Sequence, residues 1–166
     1  MNRSQYNECV NRYADRIFRF VLSNLRDRER ASDVVQETFA KVWERRDDVS
    51  WEKCKAYLFQ TAYHTLIDDI RKQSKVNRIE DTDRMESHSV YTPYPDVQEV
   101  LHKALAKLPE IQRSVVLLRD YEGYSYQEIA EIAGLSESQV KVYIFRARTA
   151  LKKELKSIDN LIDVGL

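Results

Sequence analysis

The sequence predicts an all-α protein: two small helical domains joined by a flexible acidic linker, the second domain containing a helix-turn-helix. Three observations predict it. Only three glycines and three prolines occur among 166 residues, too few for the many turns of a sheet protein. Apolar residues recur at three- and four-residue spacing in both halves, the period of an amphipathic helix. Near the C-terminus, two capping boxes stand eleven residues apart with a glycine between them.

The first domain is assigned to residues 1–75. Val10, Tyr13, Ala14, Ile17, Phe18, Val21 and Leu25 share one face of a first helix. Val35, Phe39, Val42 and Trp43 mark a second, and Tyr57, Leu58, Thr61, Ala62, Ile67 and Ile70 a third, longer one. The loops near 26–30 and 46–50 are short, which favours antiparallel neighbours in a bundle. If Val35, Phe39, Val42 and Trp43 turn inward, Asp33, Gln36 and Glu37 are left as a polar, acidic surface. Acids at a helix start are also ordinary partners of its dipole.

Periodicity is lost over 76–98. This stretch holds two of the three prolines and five acids against two bases. About 23 residues reach ~75–80 Å when extended and ~25–30 Å as a relaxed coil, enough to let two domains engage separated sites. A surface loop inside one domain is the alternative, although ordered loops of this length are uncommon.

The second domain is assigned to 99–157. Val100, Leu101, Ala104, Leu105 and Leu108 form one helix face. Pro109 interrupts, and Ile111, Val115, Val116, Leu117 and Leu118 begin another helix that Gly123 ends. In GYSYQEIAEIAGLSESQVKVYIFRARTALKKEL, Ser125 precedes Glu128 by three residues and Ser136 precedes Gln139 by three. In each box the serine oxygen and the Glu or Gln side chain satisfy backbone donors reciprocally, which starts a helix. Gly134 stops the first helix and turns the chain into the second, making a helix-turn-helix. On the second helix, about 137–155, Val140, Ile144, Ala147 and Leu151 form a buried stripe facing Ile129, Ala130 and Ala133. The opposite side displays Ser138, Gln139, Lys141, Val142, Tyr143, Phe145, Arg146 and Arg148. A basic helix of this kind fits the DNA major groove. Gln139 and Lys141 are the expected base readers, with Arg146, Arg148 and the following lysines suited to phosphates. The tail, 158–166, is assigned no role.

Composition excludes other classes. The net charge is zero, which argues against a general polyanion binder but averages over unlike parts. Residues 1–75 carry fifteen bases and twelve acids, and residues 99–157 carry ten and eight. Cys9 and Cys54 show no framework spacing, as in a reducing cytosol. No signal peptide or membrane span is readable, so a cytoplasmic location without membrane insertion is expected. His64, His88 and His102 are scattered, so no metal is expected. With no phosphate loop and no nucleophile constellation, no cofactor, small-molecule substrate or enzymatic activity is expected.

LPEIQRSVVLLRDYEGYSYQEIAEIAGLSESQVKVYIFRARTALKKEL resembles region 4 of the extracytoplasmic-function (ECF) sigma factors of the sigma-70 family. DVVQETFAKVW and KAYLFQTAYHTLIDDIRKQ, in the first half, resemble region 2. The resemblance covers most of the chain outside the linker and both ends. It implies a transcription-initiation factor with three working surfaces. Asp33, Val34, Gln36 and Glu37 would contact the clamp helices of bacterial core RNA polymerase. The loop from Arg45, with Arg46, Trp51, Lys55, Tyr63, His64 and Arg71, would capture and help melt the downstream (−10) promoter element, where a base must leave the stack and be held by charge and stacking. For Trp51 and Tyr57 taken singly, a place in the core is the better reading. Ser125, Ser136, Ser138, Gln139, Lys141, Val142, Tyr143, Phe145, Arg146 and Arg148 would meet the upstream (−35) element. An anti-sigma protein is a further implied partner. Two departures stand out: Tyr63 and His64 replace an Arg-Asn pair frequent in the family, and Val142 and Tyr143 replace a Ser-Arg pair. Apart from the resemblance, an ordinary helix-turn-helix regulator with a sensing bundle and a partner-sequestering protein are the rival readings.

Overall fold

The computed structural model describes residues 1–79 and 97–164, and, within these, nothing is said of the side chains of 78–79 and 158–164. The described residues form helices and turns without a strand. Helix α1 (Arg3–Leu25) starts at a capping box: Asn2 Oδ1 accepts from the Gln5 backbone at 2.8 Å, and Gln5 Oε1 accepts from the Asn2 backbone at 2.9 Å. It stops where Arg26 takes a left-handed conformation, φ 56°, and donates its N–H to Leu22. Asp27 caps α2 (Arg28–Glu44) through the Arg30 N–H at 3.1 Å. The connection is therefore only Arg26–Asp27, shorter than the 26–30 loop expected, and so tight a turn favours antiparallel packing of α1 and α2. Helix α3 (Cys54–Ile79) completes the bundle over Ile17, Phe20, Val21, Leu58, Phe59, Ala62 and Leu66, all at 1% exposure or less. Burying each of these side chains other than Ala62 contributes about 1.5–3 kcal/mol.

The C-terminal group comprises α4 (Val97–Lys107), α5 (Glu110–Val116), α6 (Tyr126–Ala133) and α7 (Glu137–Val164). Its core is Leu105, Val115, Leu118, Ile129, Ile132, Val140, Ile144 and Ala147. Helix α5 runs into a π-helical turn, Leu117–Tyr121, closed by the Glu122 N–H on the Leu117 carbonyl at 3.1 Å. Gly123, φ 74°, then reverses the chain, and the Tyr124 N–H returns to Leu118. The wide turn ends the helix with both Glu122 and Tyr124 buried.

Those two residues join the halves. Arg19 grips the Glu122 carboxylate with both ends of its guanidinium at 2.9 and 2.8 Å. Arg16 donates to the Glu122 carbonyl at 3.0 Å. The Tyr124 ring meets Phe59 edge-on at 4.9 Å. Arg113, itself buried, donates to Asn24 at 3.1 Å, and Ser114 donates to the same oxygen at 3.3 Å. One hydrophobic core runs through both groups. Tethered domains were expected from sequence, and this packing was not foreseen. Most of the expected linker, 80–96, lies outside the described residues. Of its two ends, Val76–Ile79 continue α3 and Val97–Gln98 open α4. The recognition helix also runs past 155, with helical backbone to Val164.

Candidate nucleic-acid interface

Three surfaces gather the residues singled out from sequence. On α2, Asp33, Gln36 and Glu37 are exposed. Lys41 pairs with Glu37 at 3.2 Å, one helical turn on. Val34 is a correction: at 2% exposure it is core, because the buried seam is Ala31, Val34, Thr38 and Val42 at spacings of three, four and four. Of the expected inward set, Val42 lies in that seam, while Val35, Phe39 and Trp43 flank it half-buried. The seam is rotated by one residue, about 100°, from the expected stripe.

The loop after α2 is built from two 3₁₀ turns, Arg46–Asp48 and Trp51–Lys53. Val49 is buried between them, and the Met1 ammonium donates to the carbonyls of Arg46 and Val49 at 2.5 and 2.7 Å. These ties hold the loop around a cavity of about 370 Å³ lined by Arg45, Asp48, Val49, Ser50, Lys53 and Tyr57, with Ala56, Gln60 and Glu131 completing it. Two cations, Arg45 and Lys53, share this lining with the Tyr57 ring and with the carboxylates of Asp48 and Glu131. Of the residues singled out from sequence for this site, Arg45, Lys53 and Tyr57 line the cavity. Arg46 instead caps α2, donating to the Trp43 carbonyl at 2.8 Å with its guanidinium 3.8 Å above the Trp43 ring. Trp51 is half-buried with Arg12 5.7 Å over it.

Lys55 pairs with Glu128 of α6 at 3.2 Å and lies 4.4 Å over the Tyr124 ring. Tyr63 is 7% exposed, and that burial pushes its phenol above the ordinary value, with Glu110 adding to the effect and Arg71 opposing it. A side chain so enclosed does not reach DNA in this arrangement. His64 and Arg71, on the same helix, are exposed. Sequence reasoning missed Asp48, Ser50, Gln60 and Glu131, for which only the tertiary fold carries a signal.

Cys9 and Cys54 are buried free thiols that the fold brings together. Burial, reinforced by a contact with Cys54, pushes the Cys9 thiol up to about 12, which disfavours its reactive thiolate.

Both C-terminal capping boxes form. Ser125 Oγ accepts from the Glu128 backbone at 3.1 Å, and Glu128 Oε1 accepts from the Ser125 backbone at 3.2 Å. Ser136 and Gln139 exchange the same bonds at 3.1 and 2.9 Å. Gly134 sits at φ 68°, where a non-glycine residue is strained. Val140, Ile144 and Ala147 are buried together with Ile129 and Ile132, and Leu151, Ala130 and Ala133 pack partly buried against that core. Outward stand Ser138, Gln139, Lys141, Val142, Phe145 and Arg146, with Phe145 70% exposed. Ser138, Gln139, Val142, Tyr143 and Arg146 line a shallow hollow of about 200 Å³. Arg148 is not free: it forks onto Asp120 at 3.1 and 2.6 Å.

Glu128 has a second role that sets a pH dependence. Burial alone would raise its carboxyl, but the Ser125 backbone bond and the Lys55 ammonium outweigh it and hold the group below its ordinary value. A carboxyl depressed in the folded protein stabilises it above its unfolded titration and ceases to do so as pH falls through the folded one. Glu128→Gln keeps the capping box and removes the charge. The stability difference between wild type and this variant, read by urea unfolding, is expected to shrink toward zero as pH drops below the carboxylate range. With Glu128 nearly half exposed, the difference at neutral pH is at most about 1 kcal/mol.

Among the described residues there is no group of three or more His, Cys, Asp or Glu arranged for a metal, and no helix is long and apolar enough to cross a membrane. The family profile for sigma-70 region 2 matches residues 9–76, and that for sigma-70 region 4 matches 98–151. The ECF RNA polymerase sigma factor SigM of Bacillus subtilis is 32% identical over 149 residues, covering 87% of this chain and 91% of the relative. RNA polymerase sigma factor SigV of the same organism is 30% identical, covering 91% of each. Among solved structures, the sigma factor RpoE in complex with the anti-sigma factor NepR from Bartonella quintana superposes with a TM-score of 0.76 at 26% identity, over 91% of this chain and 96% of that one. A basic helix-turn-helix, a cation-lined cavity beside an exposed acidic helix, and matches to both sigma regions in chain order lead to one assignment: the chain belongs to the ECF sigma factors of the sigma-70 family.

Proposed function

We propose that the chain, as a sigma factor, docks on core RNA polymerase through Asp33, Gln36 and Glu37, reads the upstream promoter element as duplex with α7, and captures an unpaired base of the downstream element in the cavity beside Arg45 and Lys53. The observation that carries this is the cavity: Arg45 and Lys53, a tyrosine ring and a braced loop at the start of α3, with Glu131 of α6 at its edge. Residues 1–79 serve the polymerase and the melted strand, and residues 97–157 serve the upstream duplex. Catalysis belongs to the polymerase. An anti-sigma protein is the proposed regulator, by likeness to the RpoE complex.

The test is transcription in vitro with sigma-free bacterial core polymerase, this protein and a panel of genomic promoters. Promoter-specific start sites are expected. Failure to bind core, together with no directed start site, refutes the reading. Gln36→Ala with Glu37→Ala removes two exposed polar groups without touching the buried seam. It is expected to weaken core binding about tenfold by fluorescence titration, the size of an interface contact of ~1.4 kcal/mol, and to leave thermal stability unchanged.

A further inference from the structure

Two neighbouring residues of α7 depart from the family pattern, and the structure separates them. Tyr143 is half-buried and packs against the core. Val142 is 45% exposed, a branched apolar side chain on the outward face of the helix. Ser138 stands four residues before it, Gln139 three before it and Arg146 four after it, so these side chains share one face. With Tyr143 they line the shallow hollow of α7.

Val142 lies within the first two turns of α7, the part from which a recognition helix meets base edges. A valine offers a base neither a donor nor an acceptor. Against the polar major-groove edge of guanine, adenine or cytosine it excludes water without replacing the lost hydrogen bond, which costs free energy. Thymine alone presents a methyl group there, and covering that methyl with an apolar side chain is favourable. Lys141 and Arg146, both exposed beside Val142, supply the positive charge that draws a duplex to this face.

We propose that Val142 is a specificity-determining residue of the upstream site: it covers the 5-methyl group of one thymine in the duplex, with Tyr143 as a wall of the hollow. This rests on the function proposed above. A serine at this position, as is frequent in the family, has a hydroxyl that any base edge can satisfy, so the preference for thymine belongs to this chain. The contact is apolar, and it adds to the choice of base without adding to the salt dependence of binding.

Deoxyuridine tests it, because it pairs as thymine does and lacks only the methyl group. Start sites are first mapped in vitro with core polymerase on unmodified promoters. Their absence refutes the sigma reading itself, whereas the later outcomes bear on the contact alone. On a promoter so found, each thymine of the upstream element is replaced singly, on either strand, and the affinity of the full holoenzyme is measured by fluorescence anisotropy. One replacement is expected to weaken binding about fourfold, the value of one buried methyl group. Val142→Ser is expected to show that same loss on unmodified DNA and no further loss on the deoxyuridine duplex. Its salt slope stays that of wild type, and, because Val142 is exposed, so does its melting temperature. An upstream element in which no thymine methyl matters overturns the contact, and is the result expected if the patch serves a protein partner instead. A Val142→Ser protein as sensitive to the methyl as wild type overturns it equally.

Discussion

Phe59→Ala is expected to lower the unfolding free energy by about 3–5 kcal/mol, a large part of the 5–15 kcal/mol that holds a domain of this size together. Phe59 is fully buried in α3, with Phe20 at 6.3 Å on one side and Tyr124 at 4.9 Å on the other. It belongs to the N-terminal bundle through the first contact and to the joint between halves through the second. Truncation thus opens a void that neither group can close alone, and the cost falls at the high end of such substitutions. Tyr124→Phe is the control. It keeps the ring and removes a buried hydroxyl without a hydrogen-bond partner among the described residues, so its change stays within about 1 kcal/mol. Urea titration followed by circular dichroism measures both. A Phe59→Ala loss under 1 kcal/mol would mean that the core relaxes around the site.

The contrast between those contacts and the capping boxes marks how far the sequence could be read. The boxes at Ser125 and Ser136 and the turn at Gly134 depend on residues three or four apart, and their chemistry is complete within that window. Two helical groups with a helix-turn-helix in the second follow from periodicity in the same local way. Val34 shows the first limit. Period alone does not fix the phase of the stripe when valines stand side by side at 34 and 35, and the packing of α1 and α3 chose the other one. Cys9 and Cys54 show the second. Their meeting needs α1 laid across the start of α3, which no spacing encodes. Glu122 shows the third: its arginines are about a hundred residues away in the chain, and a carboxylate next to a glycine reads as a surface turn. The proposed polymerase face on α2 was legible as exposed acid and amide at Asp33, Gln36 and Glu37. The cavity was legible only through Arg45, Lys53 and Tyr57, because Glu131 reaches it from the other half.

Arg146→Ala is expected to lower promoter affinity of the polymerase-bound protein by about 1–3 kcal/mol and to relax the choice of base at one or two upstream positions. From sequence, Gln139 and Lys141 are the expected base readers. In the structure the Gln139 Oε1 already accepts the Ser136 N–H at 2.9 Å. A glutamine reading adenine uses its oxygen and its nitrogen together, so Gln139 has only its amide donors to offer unless the capping box opens. Arg146 lies seven residues on, two turns along the same face, exposed at the edge of the hollow that Ser138 and Val142 also line. Its five donors can meet both acceptors of a guanine. Arg148 is the internal comparison, because its donors are committed to Asp120. Arg148→Ala should therefore cost less than Arg146→Ala. Titration of holoenzyme against single-base promoter variants separates the roles. A uniform loss across all variants would place Arg146 on phosphate, with a salt dependence reduced by about one charge. A loss confined to particular positions places it on base edges.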